Sequence, residues 1–234
     1  MGAAVGWSAL AASSLIIGEL LGVARPWPDR VIGLVLAFGA GALISAVSFD
    51  LAEEGVAIGS PLSVAVGLGA GALTYFALDR MLARRSAGGA AGAGRPLALG
   101  ALLDGIPEQT VLGIGLATGE GVSVGLLVAI FVSNLPEAIG ASSDMRAAGQ
   151  PAGTVRRLWW TIAAICTLAG VAGYALADAT SGDLQGGING FAAGALLVML
   201  VDSMVPEARE KAGLPAGLVS VLGFALAAGL TGIS

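Results

Sequence analysis

The fold class this sequence predicts is an all-α integral membrane protein of eight transmembrane helices in an inverted 3+2+3 arrangement. Three observations lead there. Apolar windows of span length recur almost without pause, every basic residue falls on one side of the resulting topology, and two distant segments repeat one another. Of the 234 residues, 56% are hydrophobic and only 12% charged, with mean hydropathy +0.88. A soluble helical protein needs polar helix faces, and too few polar residues are present to make them. Windows of roughly 17–25 apolar residues cross about 30 Å of hydrocarbon as helix. Barrel strands would instead show segments of about 10 residues with alternating polarity.

The first span is expected at 6–24. It opens on MGAAVGWSAL without the basic start of a signal peptide, and Glu19 falls near its inner end. RPWPDR at 25–30 breaks the chain before a second span at 31–52, which closes on Asp50, Glu53 and Glu54. GSP at 59–61 introduces the third, 61–79. The stretch RRSAGGAAGAGRP at 84–96 reads as a flexible cytoplasmic linker within a single transmembrane domain covering 1–234. A fourth span at 97–118 and a fifth at 122–143 are separated by TGEG, so they should be antiparallel neighbours. After GQPAG at 149–153 comes the sixth, 158–177. Trp159 and Trp160 follow Arg156 and Arg157 there, as interfacial anchors do. Cys166, the only cysteine, lies in an apolar run, where it reads as a small buried hydrophobe unable to form an internal disulfide. The seventh span, 187–206, and the eighth, 214–232, are divided by GLP at 213–215.

Charge orients the chain. With both termini external, the inner connectors hold all 11 basic residues, from Arg25 and Arg30 through Arg209 and Lys211. The outer connectors hold none, but carry Glu120, Asp178 and Asp183. Such a bias matches cytoplasmic retention of Lys and Arg in a multi-pass protein of the plasma membrane. The repeat gives the same even count. FGAGALISAVSFDLAEE at 38–54 resembles FAAGALLVMLVDSMVPE at 191–207, sharing Phe, Ala, Gly, Ala, Leu and the final Glu in register. The copies occupy the second and seventh spans, traversed in opposite directions, which is the mark of an inverted repeat.

Two similar polar stretches interrupt the apolar pattern: LLDGIPEQT at 102–110 and FVSNLPEAIG at 131–140. Asp104 and Glu108 are four apart and share one helix face; Ser133 and Glu137 repeat that spacing, with Asn134 between them. A carboxylate at this depth is costly unless paired, protonated, or facing water or an ion. No Lys or Arg lies inside any expected span, which leaves protonation or a cation. Glu108, Glu137, Asp104 and Asn134, with Ser133 as a fifth member, would form an all-oxygen site suited to hard or borderline divalent ions. Pro107 and Pro136 cannot donate to the carbonyls of Leu103 and Val132, which adds free oxygens nearby. The alternative is two proline kinks whose neutral carboxylic acids hydrogen-bond between helices. Asp50, Glu54 and Asp202 lie toward span ends, as pathway residues or as solvated helix ends.

Other chemistry lacks a basis. There is no histidine, no cysteine pair and no nucleophile–base constellation, so an enzyme is not expected. A net charge of −5 leaves no nucleic-acid footprint.

The paired Pro-Glu motifs, the eight spans and the FxAGALL segments resemble the ZIP (Zrt/Irt-like) family of divalent-metal transporters over nearly the whole chain. Family members carry HNxPEG in the fourth span; here the match is DGIPEQ, with Asp104 at the histidine position, Gly105 at the asparagine and Glu108 retained. The fifth-span match is SNLPEA, with Ser133 and Asn134 at ligand positions and Glu137 retained. A sixth-span glutamate, frequent in the family, is missing from AICTLAG at 164–170, and the second-span histidine is replaced around Phe49 and Asp50. The resemblance implies alternating-access transport of zinc or iron; the ligand set without histidine adds manganese, and the missing family ligands point to one oxygen-rich site. It also implies a homodimer in the lipid bilayer and no prosthetic group, the metal being substrate. A nontransporting membrane interaction protein of the same fold, and a proton or organic-solute carrier, remain as alternatives.

Overall fold

The protein is described by a computed structural model covering residues 1–87, 95–117 and 124–231. Every regular element among these residues is helical. The helices are α1 (Gly2–Ala24), α2 (Asp29–Ile58), α3 (Pro61–Ala87), α4 (Arg95–Ala117), α5 (Val124–Ala147), α6 (Ala152–Asp178), α7 (Asp183–Ala212) and α8 (Pro215–Thr231). By length and composition, α1, α2, α3 (over Pro61–Met81), α5, α6 and α7 can each cross a membrane, and α8 is a shorter apolar helix. The chain is a multi-pass helical membrane protein.

Local sequence explains the breaks. Pro28 and Pro151 precede α2 and α6, and Pro61 and Pro215 open α3 and α8, where a missing N–H costs nothing. At the start of α3, Ser60 and Ser63 exchange hydrogen bonds, each backbone N–H donating to the other hydroxyl at 3.1 and 3.2 Å. The connectors after α5, α6 and α7 turn on Gly149, Gly182 and Gly213, whose positive φ disfavours any side chain. The expected linker at 84–96 is narrowed from both ends, because α3 continues through Ala87 and α4 begins at Arg95. Residues 88–94 lie outside the described residues.

Both copies of the sequence repeat depart from α geometry at the same place in their register. A π-helical stretch occupies Val47–Glu53 within α2 and Leu200–Met204 within α7. The following Pro206 accounts for part of the second, since it removes a donor from the next turn. Upstream of these stretches, Gly41 lies against the backbone of Ser220 in α8, and Gly194 against that of Leu68 in α3. A Cβ at either position would run into a carbonyl oxygen, so these repeat-equivalent glycines set two close helix crossings.

The helices pack as α2 on α8, α7 on α3, α1 on α5 and α6, and α4 on α6, with α2 also crossing α5. Two apolar clusters result. One joins Leu36 and Leu43 of α2 with Leu112, Ile130, Leu196 and Met199. The other joins Leu15 of α1 with Ala138, Met145, Trp159 and Ile162. α5 belongs to both, so its Ser133–Glu137 stretch lies at their seam. Trp159 corrects a sequence expectation: it is fully buried in the second cluster, and only Trp160, 58% exposed, has the exposure of an interfacial anchor. Consecutive helix positions face about 100° apart, and the expectation treated them alike.

Candidate cation site

α4 and α5 both run uninterrupted through their prolines. Where they meet, Glu108 has only 1% of its surface exposed. The Asn134 amide donates from Nδ2 to Glu108 Oε2 at 2.9 Å, and the Ser133 hydroxyl lies 3.2 Å from Oε1. That hydroxyl is also 3.0 Å from the carbonyl oxygen of Ile130, so its single proton is shared between two acceptors. Ser133 and Asn134 are themselves buried at 1% exposure. Three residues from the two polar stretches thus come together, and both oxygens of one carboxylate face neutral polar groups of the next helix.

Glu137 follows on α5, four residues after Ser133, and is half-buried. Asp104 sits one turn before Glu108 on α4, and its side chain lies outside the described residues. Among the described residues, no three acidic or cysteine side chains gather at one point. The expected pathway residues are spread more widely. Asp50 falls inside the π-helical stretch of α2 and Glu54 just beyond it, both half-buried. Asp202 is exposed in the π-helical stretch of α7, in a shallow groove against Leu68, Leu73 and Phe76 of α3.

Several buried polar groups escaped the sequence analysis. Glu19, which the sequence places near the inner end of the first span, is fully buried, with Oε1 3.9 Å from Arg156 Nε. Gln109 is fully buried with neither amide atom hydrogen-bonded, and the same holds for the Ser8 hydroxyl. Cys166, by contrast, is buried as the sequence leads one to expect, next to Gly105, where a Cβ would stand 2.7 Å from its Sγ. Neighbouring a polar motif is a signal for Gln109 alone. The others are single polar residues in apolar segments, and only the facing helix reveals their company.

No protein-family model matches the chain. Over 191 residues it is 32% identical to an Arabidopsis thaliana protein named "Putative zinc transporter". The match takes in 77% of this chain and 30% of that protein, so the chain spans less than a third of its relative's length.

Proposed function

We propose that this protein is a ZIP-like carrier that moves a divalent metal cation, zinc, manganese or iron, across the plasma membrane by alternating access. The observation that carries the reading is Glu108, a carboxylate buried within a membrane protein and met on both oxygens by side chains of the adjoining helix. Intramembrane ionisable residues of this kind mark ion and proton pathways. Asn134 and Ser133 would join Glu108 as ligands; a half-turn of the Asn134 amide would exchange its donor for an acceptor. Glu137 and Asp104, each one helical turn away along its own helix, would supply further oxygens. The relative's name adds support for zinc.

The same reading takes the eight helices as eight spans in a 3+2+3 inverted arrangement with both termini external. The packing favours it. Exchanging the first three helices with the last three, and α4 with α5, turns the α2–α8 contact into α7–α3 and the α1–α5 contact into α6–α4. The Glu108 cluster lies near the seam of the two apolar clusters, and movement of one against the other would expose it to alternate sides. A homodimer in the lipid bilayer, with no prosthetic group and no enzymatic step, completes the proposal.

One observation favours a second reading. Glu108 already has hydrogen-bonding neighbours, as a neutral structural carboxyl in a nontransporting protein would. Purified protein in liposomes, loaded with metal-sensitive dyes and tested against Zn²⁺, Mn²⁺ and Fe²⁺, separates the two. Saturable entry that disappears in Glu108→Gln is expected. Absence of both flux and saturable binding would sink the transport reading, and proton flux without metal flux would replace it with a proton carrier.

A further inference from the structure

The outer face of α6 carries a feature that neither the Glu108 cluster nor helix packing uses. A groove of about 550 Å³ follows it from Gly153 to Leu168, about 22 Å of helix. Its lining is graded in polarity. Arg156 and Arg157 stand at the mouth, Trp160 and Thr161 follow one turn on, and Ile165 and Leu168 lie beyond them. Thr161 donates its hydroxyl proton to the Arg157 carbonyl oxygen at 2.8 Å, so the far half offers no free side-chain donor. The mouth is rich in them. Arg157 is exposed and has no acidic partner among the described residues. Arg156 approaches the buried Glu19 with its stem nitrogen, Nε, at 3.9 Å, while its side chain stays 54% exposed. The four N–H groups of its terminal fork are left for another acceptor. Gly153, in the first turn of α6, adds a helix terminus whose dipole favours an anion.

We propose that this groove binds an anionic phospholipid, its phosphate on Arg156 and Arg157 and an acyl chain laid over Trp160, Ile165 and Leu168. A free anion would leave the aromatic and aliphatic floor bare, and an uncharged lipid would leave Arg157 unanswered. Trp160, 58% exposed in the protein alone, becomes the step between headgroup and chain, where an indole is favoured. No residue of the groove belongs to the Glu108 cluster, so its occupancy is independent of metal.

The test is tryptophan quenching of purified protein in vesicles holding brominated phosphatidylglycerol or brominated phosphatidylcholine at equal mole fraction. The difference between wild type and Trp160→Phe isolates Trp160 emission from that of Trp7, Trp27 and Trp159. Phosphatidylglycerol should quench it with an apparent association about fivefold or more above that of phosphatidylcholine. Arg157→Gln should cut that preference severalfold, and the double variant with Arg156→Gln should abolish it. Arg156→Gln strips Glu19 of its neighbour and risks the fold, whereas the exposed Arg157 can be replaced without that cost. Equal quenching of wild type by the two lipids overturns the proposal. A preference undiminished in Arg157→Gln also overturns it, because vesicle surface charge would then account for the enrichment. Loss of the preference on adding inorganic phosphate at constant ionic strength would mark a site for free anions and overturn the lipid assignment.

Discussion

A carboxylate removed from water keeps its charge only where other groups stand in for the lost solvent. At Glu108 those groups include an amide and a hydroxyl, neither carrying positive charge. Glu108→Gln keeps size and an oxygen that still accepts from the Asn134 amide, with its NH2 turned to the Ser133 hydroxyl, but removes the charge. Metal binding should fall at least tenfold by calorimetry, while gel filtration shows an intact protein. Under the cation-site proposal Glu137→Gln should weaken binding too, and the double variant should cost well short of the sum, as two groups sharing one ion would. Additive losses would separate the residues into independent sites. The polar trio Glu108, Ser133 and Asn134 was legible in the sequence because proline and polar residues cluster there within an apolar run. Glu19 was not, since it is a lone residue whose meaning depends on Arg156 across a helix boundary. Trp159 and Trp160 show the same limit. Trp159→Ala should destabilise the protein by about 3–5 kcal/mol in detergent unfolding, with Trp160→Ala costing much less.

For the elements, hydrophobic length located the helices well, because the apolar run that crosses a bilayer is written locally. The π-helical stretches were not foreseen. Val47–Glu53 contains neither proline nor glycine, so its widened turn answers to packing around it rather than to its own residues. Its counterpart at the same repeat position in α7 shows that the two copies share backbone geometry as well as side chains. The shared crossings give a direct test. Gly41→Val should push against the Ser220 carbonyl and Gly194→Val against that of Leu68, at a cost of about 1–3 kcal/mol each. Gly69→Val, where an added Cβ meets nothing within 4 Å, is the matched control and should leave thermal unfolding nearly unchanged. Equal sensitivity at all three positions would mean that helix propensity, rather than close approach, sets the loss.

At the scale of the whole molecule, the decisive variable is direction across the membrane, and charge rather than packing governs it. The internal symmetry of contacts is the same whichever side faces the cytoplasm, since inversion exchanges one half for the other. The basic residues break that tie. Arg25 and Arg30, Arg146 with Arg156 and Arg157, and Arg209 with Lys211 all lie around the connectors α1–α2, α5–α6 and α7–α8, which the proposed eight-span alternation puts on one side. Lys and Arg near span ends are retained on the cytoplasmic side. Gln150 in the α5–α6 connector should therefore be cytoplasmic, and Thr180 between α6 and α7 external. In a Cys166→Ser background, intact cells expressing Thr180→Cys should react with a membrane-impermeant maleimide. Gln150→Cys should react only after permeabilisation. Labelling of both from the same side would break the alternation of α6 and overturn the topology. Labelling with the sides exchanged would keep the fold but invert the protein, and with it the side from which a cation reaches Glu108 first.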